Sequence, residues 1–164
     1  MFKTILVANR GEIALRIIEV LKGHQIKTIA VYSEADANAP HVSAADHAVC
    51  IGPPPVRDSY LNAGEIIRVA KEQGADAIHP GYGLLSENSG FAKACTQAGI
   101  TFIGPSPEVI DMMGDKASAR TAAERAGVPV VPGSDGVIQT LEEAESLAEE
   151  LGYPVLIKAA GGGG

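Results

Sequence analysis

Short apolar runs alternate with amphipathic stretches over the first hundred residues of the chain. Five runs have the length and composition of buried strands, at 4–8, 27–32, 48–51, 75–79 and 100–103. Between the first two runs, residues 12–22 carry Ile and Leu at helical spacing,. Strands separated by single helices are typical of a parallel, doubly wound sheet, so the pattern predicts an α/β fold of the Rossmann-like kind.

Capping residues mark where the predicted helices begin and end. Asn62, with Glu65 three residues later, begins a helix that runs to Gln73, and Gly74 ends it,. A further helix is predicted over 88–98, with Gly99 after its last residue.

The pattern changes after residue 104. Two helices are predicted in near succession, over 107–113 and 115–126, and residues 128–132 are extended but interrupted by proline,. Thr140 then caps another helix, and a final short strand is predicted at Val155–Lys158,. We therefore predict two domains, 1–113 and 114–164.

Composition narrows the class of protein. The chain has 164 residues, 46% of them hydrophobic and 20% charged, as in an ordinary globular protein,. Its net charge of −7 argues against a surface that binds nucleic acid,. Cys50, Cys95 and the histidines lack metal-ligand spacing, so no metal site is predicted,. With no apolar run of about 20 residues and no signal sequence, we expect a cytoplasmic protein without membrane contact.

The last twelve residues, 153–164, suggest phosphate chemistry. A short apolar run delivers Lys158, and a run of glycines follows two residues later, at Gly161, Gly162, Gly163 and Gly164. Residues without a Cβ can lay their backbone N–H groups along a phosphate chain while the ammonium neutralises charge. Four glycines alone favour a flexible linker, but the lysine at the strand end and signals upstream favour the phosphate-binding interpretation.

A dinucleotide-binding interpretation is weaker. Glu34 and Asp36 lie near the end of the second predicted strand, where such folds place an acidic residue,. However, the turn Ala8–Glu12 holds a single glycine, whereas close approach to a pyrophosphate requires several,. Ordinary turn chemistry explains these acidic residues about as well.

Two further segments carry candidate chemistry. His79–Asn88 places aromatic, hydroxyl, carboxylate and amide groups at the carboxyl end of a strand, where open α/β sheets bind ligands,. A structural turn with Asn88 as helix N-cap explains the same residues equally well. Lys116 lies in the first turn of a helix, where a cation opposes the helix dipole. This position indicates either a nearby anion or a merely solvated lysine.

Taken in order, five motifs resemble one family. They occupy 8–14, 79–88, 102–105, 113–116 and 127–133. With Lys158 and the glycine run, they closely resemble the N-terminal part of biotin carboxylase, the ATP-grasp component of biotin-dependent carboxylases. The resemblance covers about residues 3–164. It implies a Rossmann-like pre-ATP-grasp domain, a helical connection and the start of an ATP-grasp domain.

The resemblance also implies a reaction and its site. Bicarbonate is activated by ATP with Mg²⁺ (or Mn²⁺) to carboxyphosphate, and biotin on a carrier protein or domain is then carboxylated. Tyr82, Gly83 and Glu87 would face the biotin and bicarbonate end of the cleft. Lys116 and Lys158 would bind the nucleotide. The glycine run would also bind ATP, as the first part of a lid over it: Gly161, Gly162, Gly163 and Gly164.

Not all of the implied site lies within this sequence. The metal-binding and catalytic residues of the family are expected beyond Gly164, so no catalytic residue is assigned here. The 164-residue chain is therefore expected to be inactive by itself.

The implied partners are the biotin carboxyl carrier, a carboxyltransferase and a second copy of the full-length component. Arg16 and Glu19, on the outer side of the first helix, resemble the dimer-forming surface of the family. One alternative is another ATP-grasp ligase, such as a purine-pathway or carbamoyl phosphate enzyme, which would not resemble this chain at 79–88. The other is a fragment that serves only as a binding or dimerisation module.

Overall fold

The structure is a computed structural model, and it describes residues 1–134 and 136–158. The chain divides into two compact units, Met1–Ile110 and Asp111–Gly164. In the described ranges no helix combines the length and the apolar composition needed to cross a bilayer.

A five-stranded parallel sheet forms the centre of the first unit, as the sequence predicted. Its strands are β1 (Thr4–Val7), β2 (Lys27–Tyr32), β3 (His47–Cys50), β4 (Ala77–His79) and β5 (Thr101–Phe102). Their spatial order is β3-β2-β1-β4-β5, and every neighbouring pair is parallel. The chain therefore extends the sheet to one side of β1 first and then to the other. Such a switch leaves a crevice at the carboxyl ends of β1 and β4.

Four helices connect the strands of the first unit, namely α1 (Gly11–Gly23), α2 (Pro40–Ala44), α3 (Ala63–Glu72) and α4 (Ser89–Gln97), with 3₁₀ turns at Glu34–Asp36 and Val56–Asp58. A further helix, α5 (Pro107–Gly114), follows β5 and extends past residue 110, where the first unit ends. Asn62 caps α3, as predicted, by accepting a hydrogen bond from Glu65 N. Asn88 caps α4 by accepting one from Phe91 N, as the structural-turn interpretation of 79–88 expected. The pattern missed α2 because a five-residue helix is too short to show a helical period,.

Alternation along the strands divides the apolar residues between two cores. Val7 and Ala30 pack with Ala14, Ile17 and Ile18 of α1 on one face. The opposite face packs against α3 and α4, and its core includes Leu6, Ile29, Ile78, Ile66, Val69, Phe91 and Cys95. Because successive strand residues point to opposite faces, a sheet covered on both sides needs continuous apolar strands. The doubly wound arrangement therefore follows from the strand composition.

The second unit contains helices α6 (Lys116–Arg125) and α7 (Leu141–Leu151). Asp115 caps α6 through a hydrogen bond from Ser118 N, and Thr140 caps α7 through one from Glu143 N. The glutamates of α7 are exposed, at 142, 143, 145, 149 and 150. Of the residues described in this unit, Ala148 is the only buried apolar one.

The predicted strand at Val155–Lys158 is not formed. These residues are exposed and hold no regular structure, with Leu156 79% and Ile157 85% accessible. A strand needs a neighbour to accept and donate its backbone hydrogen bonds, and the described part of the second unit contains no other strand. An apolar run alone was therefore insufficient to predict the element.

The predicted glycine loop lies outside the described residues. All four of its members are affected, namely Gly161, Gly162, Gly163 and Gly164. Their assignment to the ATP phosphates stays a prediction for that reason.

Candidate functional site

The carboxyl edge of the sheet brings together the segments that follow β1 and β4. Val7 and His79 are register partners at the ends of these strands. The turn 8–12, which includes the first two residues of α1, and the loop 80–88 therefore leave the sheet side by side. The prediction that His79–Gly83 lies at the carboxyl edge of the parallel sheet is confirmed.

Asn9 joins the two segments through its side chain. It is 4% exposed. Its Nδ2 donates to the carbonyl oxygens of Pro80, at 2.7 Å, and of Tyr82, at 2.9 Å. Its Oδ1 accepts from the backbone N–H of Arg10 at 2.9 Å. One carboxamide thus satisfies three backbone groups, two of them in the loop after β4.

The backbone of this loop turns away from the sheet immediately after β4. Ala8 N donates to His79 O at 2.8 Å, but Gly81 N donates to the Nδ1 of the His79 ring instead of to β1. Gly81 has φ +67°, and a Cβ there would lie 2.7 Å from Asn9 Nδ2. Glycine is required at this position both by the backbone conformation and by the close approach of Asn9. Burial lowers the pKa of His79, which favours the neutral ring that accepts this hydrogen bond.

Tyr82 presents an exposed ring beside the turn after β1. Its side chain is 61% exposed, and its hydroxyl donates to the carboxylate of Glu12. That hydrogen bond raises the pKa of Tyr82. Gly83, at φ +64°, has open space where a Cβ would be, and Glu87 is exposed further along the same loop. The structure therefore brings Tyr82, Gly83 and Glu87 into one exposed loop.

A second polar cluster lies beside the first, at the carboxyl end of β2. Asp36 Oδ2 accepts hydrogen bonds from Tyr60 Oη at 2.6 Å, from Ser33 Oγ at 3.1 Å and from an Arg10 guanidinium nitrogen at 3.1 Å. Burial raises the pKa of Asp36, but these hydrogen bonds outweigh it and hold the pKa below its usual value. All three of these hydrogen bonds are accepted by Oδ2, so they tie the Asp36 carboxylate to the protein itself.

The same cluster contains buried aromatic groups. Tyr60 is fully buried, and its burial together with the hydrogen bond to Asp36 raises the pKa of its hydroxyl to about 12. The Arg10 guanidinium carbon lies 5.5 Å from the centre of the Tyr60 ring, within cation–π range. His41 is also fully buried, with Nε2 3.3 Å from Val31 O, and burial lowers its pKa.

Sequence reasoning did not assign roles to Asn9, Glu12, Arg10 or Tyr60. The available signal was positional, since Asn9, Arg10 and Glu12 follow a buried strand just as His79–Tyr82 do. Polar residues after neighbouring parallel strands meet at one edge. The spatial neighbour relation of β1 and β4 was needed to use that signal.

The lysines predicted to bind the nucleotide and the residues of the predicted dimer surface are all exposed. Lys116 is the first residue of α6 and is exposed, and Lys158 is exposed in the segment after α7. Arg16 and Glu19 are both exposed on α1. How Lys116 and Lys158 lie relative to the Tyr82 loop stays a prediction. Within the residues described, no group of three or more His, Cys, Asp or Glu could hold a metal ion.

Two family models match the chain. The biotin carboxylase N-terminal domain matches residues 1–110, and the ATP binding domain of the carbamoyl-phosphate synthase L chain matches residues 115–164. Biotin carboxylase from Halalkalibacterium halodurans is 60% identical over 164 residues, which are 100% of this chain and 36% of that protein.

Solved structures of biotin carboxylases share the fold. The biotin carboxylase domain dimer of Hydrogenobacter thermophilus 2-oxoglutarate carboxylase, in complex with MgADP, ADP and bicarbonate, is 56% identical with a TM-score of 0.91. It is matched over 100% of this chain and 36% of that one. The biotin carboxylase–β-γ-ATP complex from Campylobacter jejuni is 52% identical with a TM-score of 0.92, over 100% of this chain and 37% of that one.

The chain thus spans about a third of the length of the curated relatives it matches. Its first 110 residues fit the N-terminal domain model, and all of it aligns with biotin carboxylases at more than half identity. The chain therefore belongs to the biotin carboxylase family, of which it carries the N-terminal region.

Proposed function

We propose that this chain forms the N-terminal part of an enzyme that carboxylates biotin with bicarbonate and ATP. In this reaction ATP phosphorylates bicarbonate to carboxyphosphate, and the carboxyl group is then transferred to the biotin ureido nitrogen. The observation that carries the proposal is the 60% identity to a biotin carboxylase over the whole chain. A relative solved with MgADP and bicarbonate supports the same substrates.

We assign the Tyr82 loop to the biotin and bicarbonate end of the cleft. Tyr82 offers an exposed aromatic ring held at its hydroxyl, against which a flat, weakly polar ring can pack,. Gly83 leaves its backbone open to close approach by a ligand,. Glu87 adds a carboxylate on the same loop.

We assign Lys116 and Lys158 to the ATP phosphates. An ammonium group at the beginning of α6 lies where the helix dipole is already positive, so together the two favour an anion,. The described residues do not fit a Mg²⁺ or Mn²⁺ site, so we derive no step through a metal from this part of the chain.

We assign the glycine run to the same phosphates and to a lid. Its backbone N–H groups would bind the phosphate oxygens, since no Cβ prevents their approach. Closing over the site, the run would help to exclude water from carboxyphosphate. The residues concerned are Gly161, Gly162, Gly163 and Gly164.

The partners follow from the same proposal. Biotin would be presented on a carrier protein or domain, and a carboxyltransferase would use the carboxylated product. Arg16 and Glu19 on α1 would contribute to a homodimer of the full-length component, as the Hydrogenobacter domain was solved as a dimer. A cytoplasmic location completes the proposal.

The test is ADP release by a full-length protein that carries this chain. We expect release from ATP and bicarbonate to depend on biotin. Lys116→Ala and Lys158→Ala should each lower kcat/KM for ATP about 10- to 100-fold, because each removes a charge-assisted contact worth about 1.5–3 kcal/mol. Lys71→Ala, at an exposed lysine in the last turn of α3, is the matched control and should change neither activity nor the melting temperature.

Two outcomes would contradict the proposal. Unchanged ATP kinetics in both lysine variants would remove the assignment of the nucleotide site. ADP release that requires another acceptor instead of biotin would favour a different ATP-grasp ligase. The 164-residue chain alone should release no ADP, since it aligns with only 36% of the relative.

A further inference from the structure

We propose that Asn9 is a positioning residue for biotin, which it serves by fixing the Tyr82–Gly83 backbone against the turn after β1. The inference rests on the proposed function, because it takes that loop to be the biotin end of the cleft. Asn9 itself would not touch the substrate, since it is buried beneath the loop. Its contribution would be to hold the exposed groups of the loop in one place.

The loop depends on this side chain because it has left the sheet. In the described part of the chain, Ala8 N to His79 O is the last backbone hydrogen bond between the segments after β1 and β4. Pro80 has no N–H with which to continue the pairing, and Gly81 N is directed to the His79 ring. The carbonyls of Pro80 and Tyr82 are bound by Asn9 Nδ2 instead.

The chemistry of the contact selects a carboxamide. The site requires two N–H donors for the two carbonyls and one acceptor for Arg10 N, and Asn supplies all three,. Asp has no donor and would place a carboxylate against two carbonyl oxygens. Ala would leave the three backbone groups without their partner, and burial limits replacement by water,.

Tyr82 is consequently tied to the turn after β1 at both ends. Asn9 holds its carbonyl, and Glu12 accepts from its hydroxyl. The second contact is exposed and competes with water, whereas the first is part-buried and comes from a side chain that is itself buried. We therefore expect Asn9 to dominate the position of the loop.

Amide hydrogen exchange on this chain tests the structural half of the proposal. Ser86 N and Asn88 N, which donate to Gly83 O and Leu85 O, report on the order of the loop. Asn9→Ala should accelerate exchange over 82–88 about tenfold, while β2 keeps its protection and shows that the unit remains folded. Unchanged exchange in the loop would overturn the proposal whatever the enzyme does.

A pair of glycine variants tests the contact from the other side. Gly81→Ala and Gly74→Ala both place a Cβ at φ +67°, but only the former meets Asn9 Nδ2, at 2.7 Å, and Gly74 has open space. Faster loop exchange is expected in Gly81→Ala and not in Gly74→Ala. In an Asn9→Ala background, adding Gly81→Ala should have a smaller effect than it has alone, because the clashing amide is gone. Equal effects of the two glycine variants would contradict the proposal.

Kinetics in the full-length protein test the functional half. Asn9→Ala should raise the KM for free biotin about tenfold while the KM for ATP stays within about twofold. A purely structural role would lower the amount of active enzyme, and thus kcat, without changing either KM. Loop exchange that rises with an unchanged KM for biotin would overturn the positioning role. If the unmodified protein shows no biotin-dependent ADP release, the proposed function itself fails, and exchange alone then judges the role of Asn9 in the loop.

Discussion

Similar apolar residues are buried in the first unit of this chain and exposed in the described part of the second. In the first unit Leu6, Ile29, Ile66 and Phe91 are almost completely buried between the sheet and its helices. In the described part of the second unit Val131, Leu141, Leu156 and Ile157 are 70% or more exposed. The difference lies in what surrounds the residues, since both sets are strongly hydrophobic.

The comparison shows which unit contains its own stabilising core. Burying a large aliphatic or aromatic side chain contributes about 1.5–3 kcal/mol, and an exposed one contributes little. The first unit closes a sheet between two layers of helices, so its apolar residues find partners within it. The described helices α6 and α7 offer each apolar residue few partners, and Ala148 alone is buried there. We therefore expect the stability of the chain to reside in the first unit.

The largest expected effect is that of a core substitution. Phe91 is 1% exposed and packs edge-on against Phe102, with ring centroids 5.9 Å apart. Phe91→Ala should lower the free energy of unfolding by about 3–5 kcal/mol, because it leaves a cavity. Ile157→Ala, at an exposed residue of the second unit, should change it by less than about 0.5 kcal/mol. Urea unfolding followed by circular dichroism measures both, and similar effects would break the comparison.

A smaller effect on the free energy of unfolding is expected from a substitution of Asp36, and this effect depends on pH. The folded-state pKa of Asp36 is below its unfolded value. The unfolded state therefore binds more protons as the solution is acidified, and the stabilisation present above the unfolded pKa is lost as pH falls through the folded one. Hydrogen bonds from Thr28 also lower the pKa of Asp46, so its contribution to stability is likewise lost on acidification. Asp36→Asn should lower stability at pH 7 and make the loss on acidification shallower.

The control for this prediction is Asp58→Asn. It removes the same charge from an exposed carboxylate, 3.6 Å from the guanidinium of the neighbouring Arg57. Urea midpoints at pH 7 and in the acid range should show a reduced pH dependence for Asp36→Asn relative to Asp58→Asn. An identical pH dependence in the two variants would show that the cluster does not couple to folding.

The smallest expected effect on stability is that of removing a helix cap, and it can be compared between the two units. Asn62 caps α3 in the first unit, and Thr140 caps α7 in the second, by equivalent hydrogen bonds of 3.1 and 3.2 Å. Asn62→Ala should destabilise the sheet unit by about 1 kcal/mol, while Asn62→Asp should retain most of the stability. Thr140→Ala should accelerate amide exchange in α7 and leave exchange in β1 unchanged. Faster exchange in β1 of Thr140→Ala would show that α7 is coupled to the sheet.

Local signals in the sequence predicted much of the first unit. The caps at Asn62 and Asn88 act through hydrogen bonds three residues along the chain, so their roles can be recognised from neighbours in sequence. The carboxyl-edge location of His79–Gly83 followed from its place directly after a predicted parallel strand, together with the motif match. The strand predicted at Val155–Lys158 was wrong because a strand requires a partner that an apolar run does not specify. Asn9 was missed because its partners, Pro80 and Tyr82, are more than 70 residues away.

By itself, the sequence determined the class of fold, the parallel direction of the strands, most helix boundaries of the first unit and the family. Fold class, strand direction and helix boundaries depend on periodicity and caps, which involve residues close in sequence. The family depends on motifs, which are compared with other sequences position by position. Only the tertiary structure decided that β1 lies beside β4, and hence that Asn9 and Glu12 hold the Tyr82 loop. It also decided that Arg10 and Tyr60 donate hydrogen bonds to the Asp36 carboxylate. Strand order depends on how two layers of helices cover one sheet, and only that packing brings residues from distant segments into hydrogen-bonding distance.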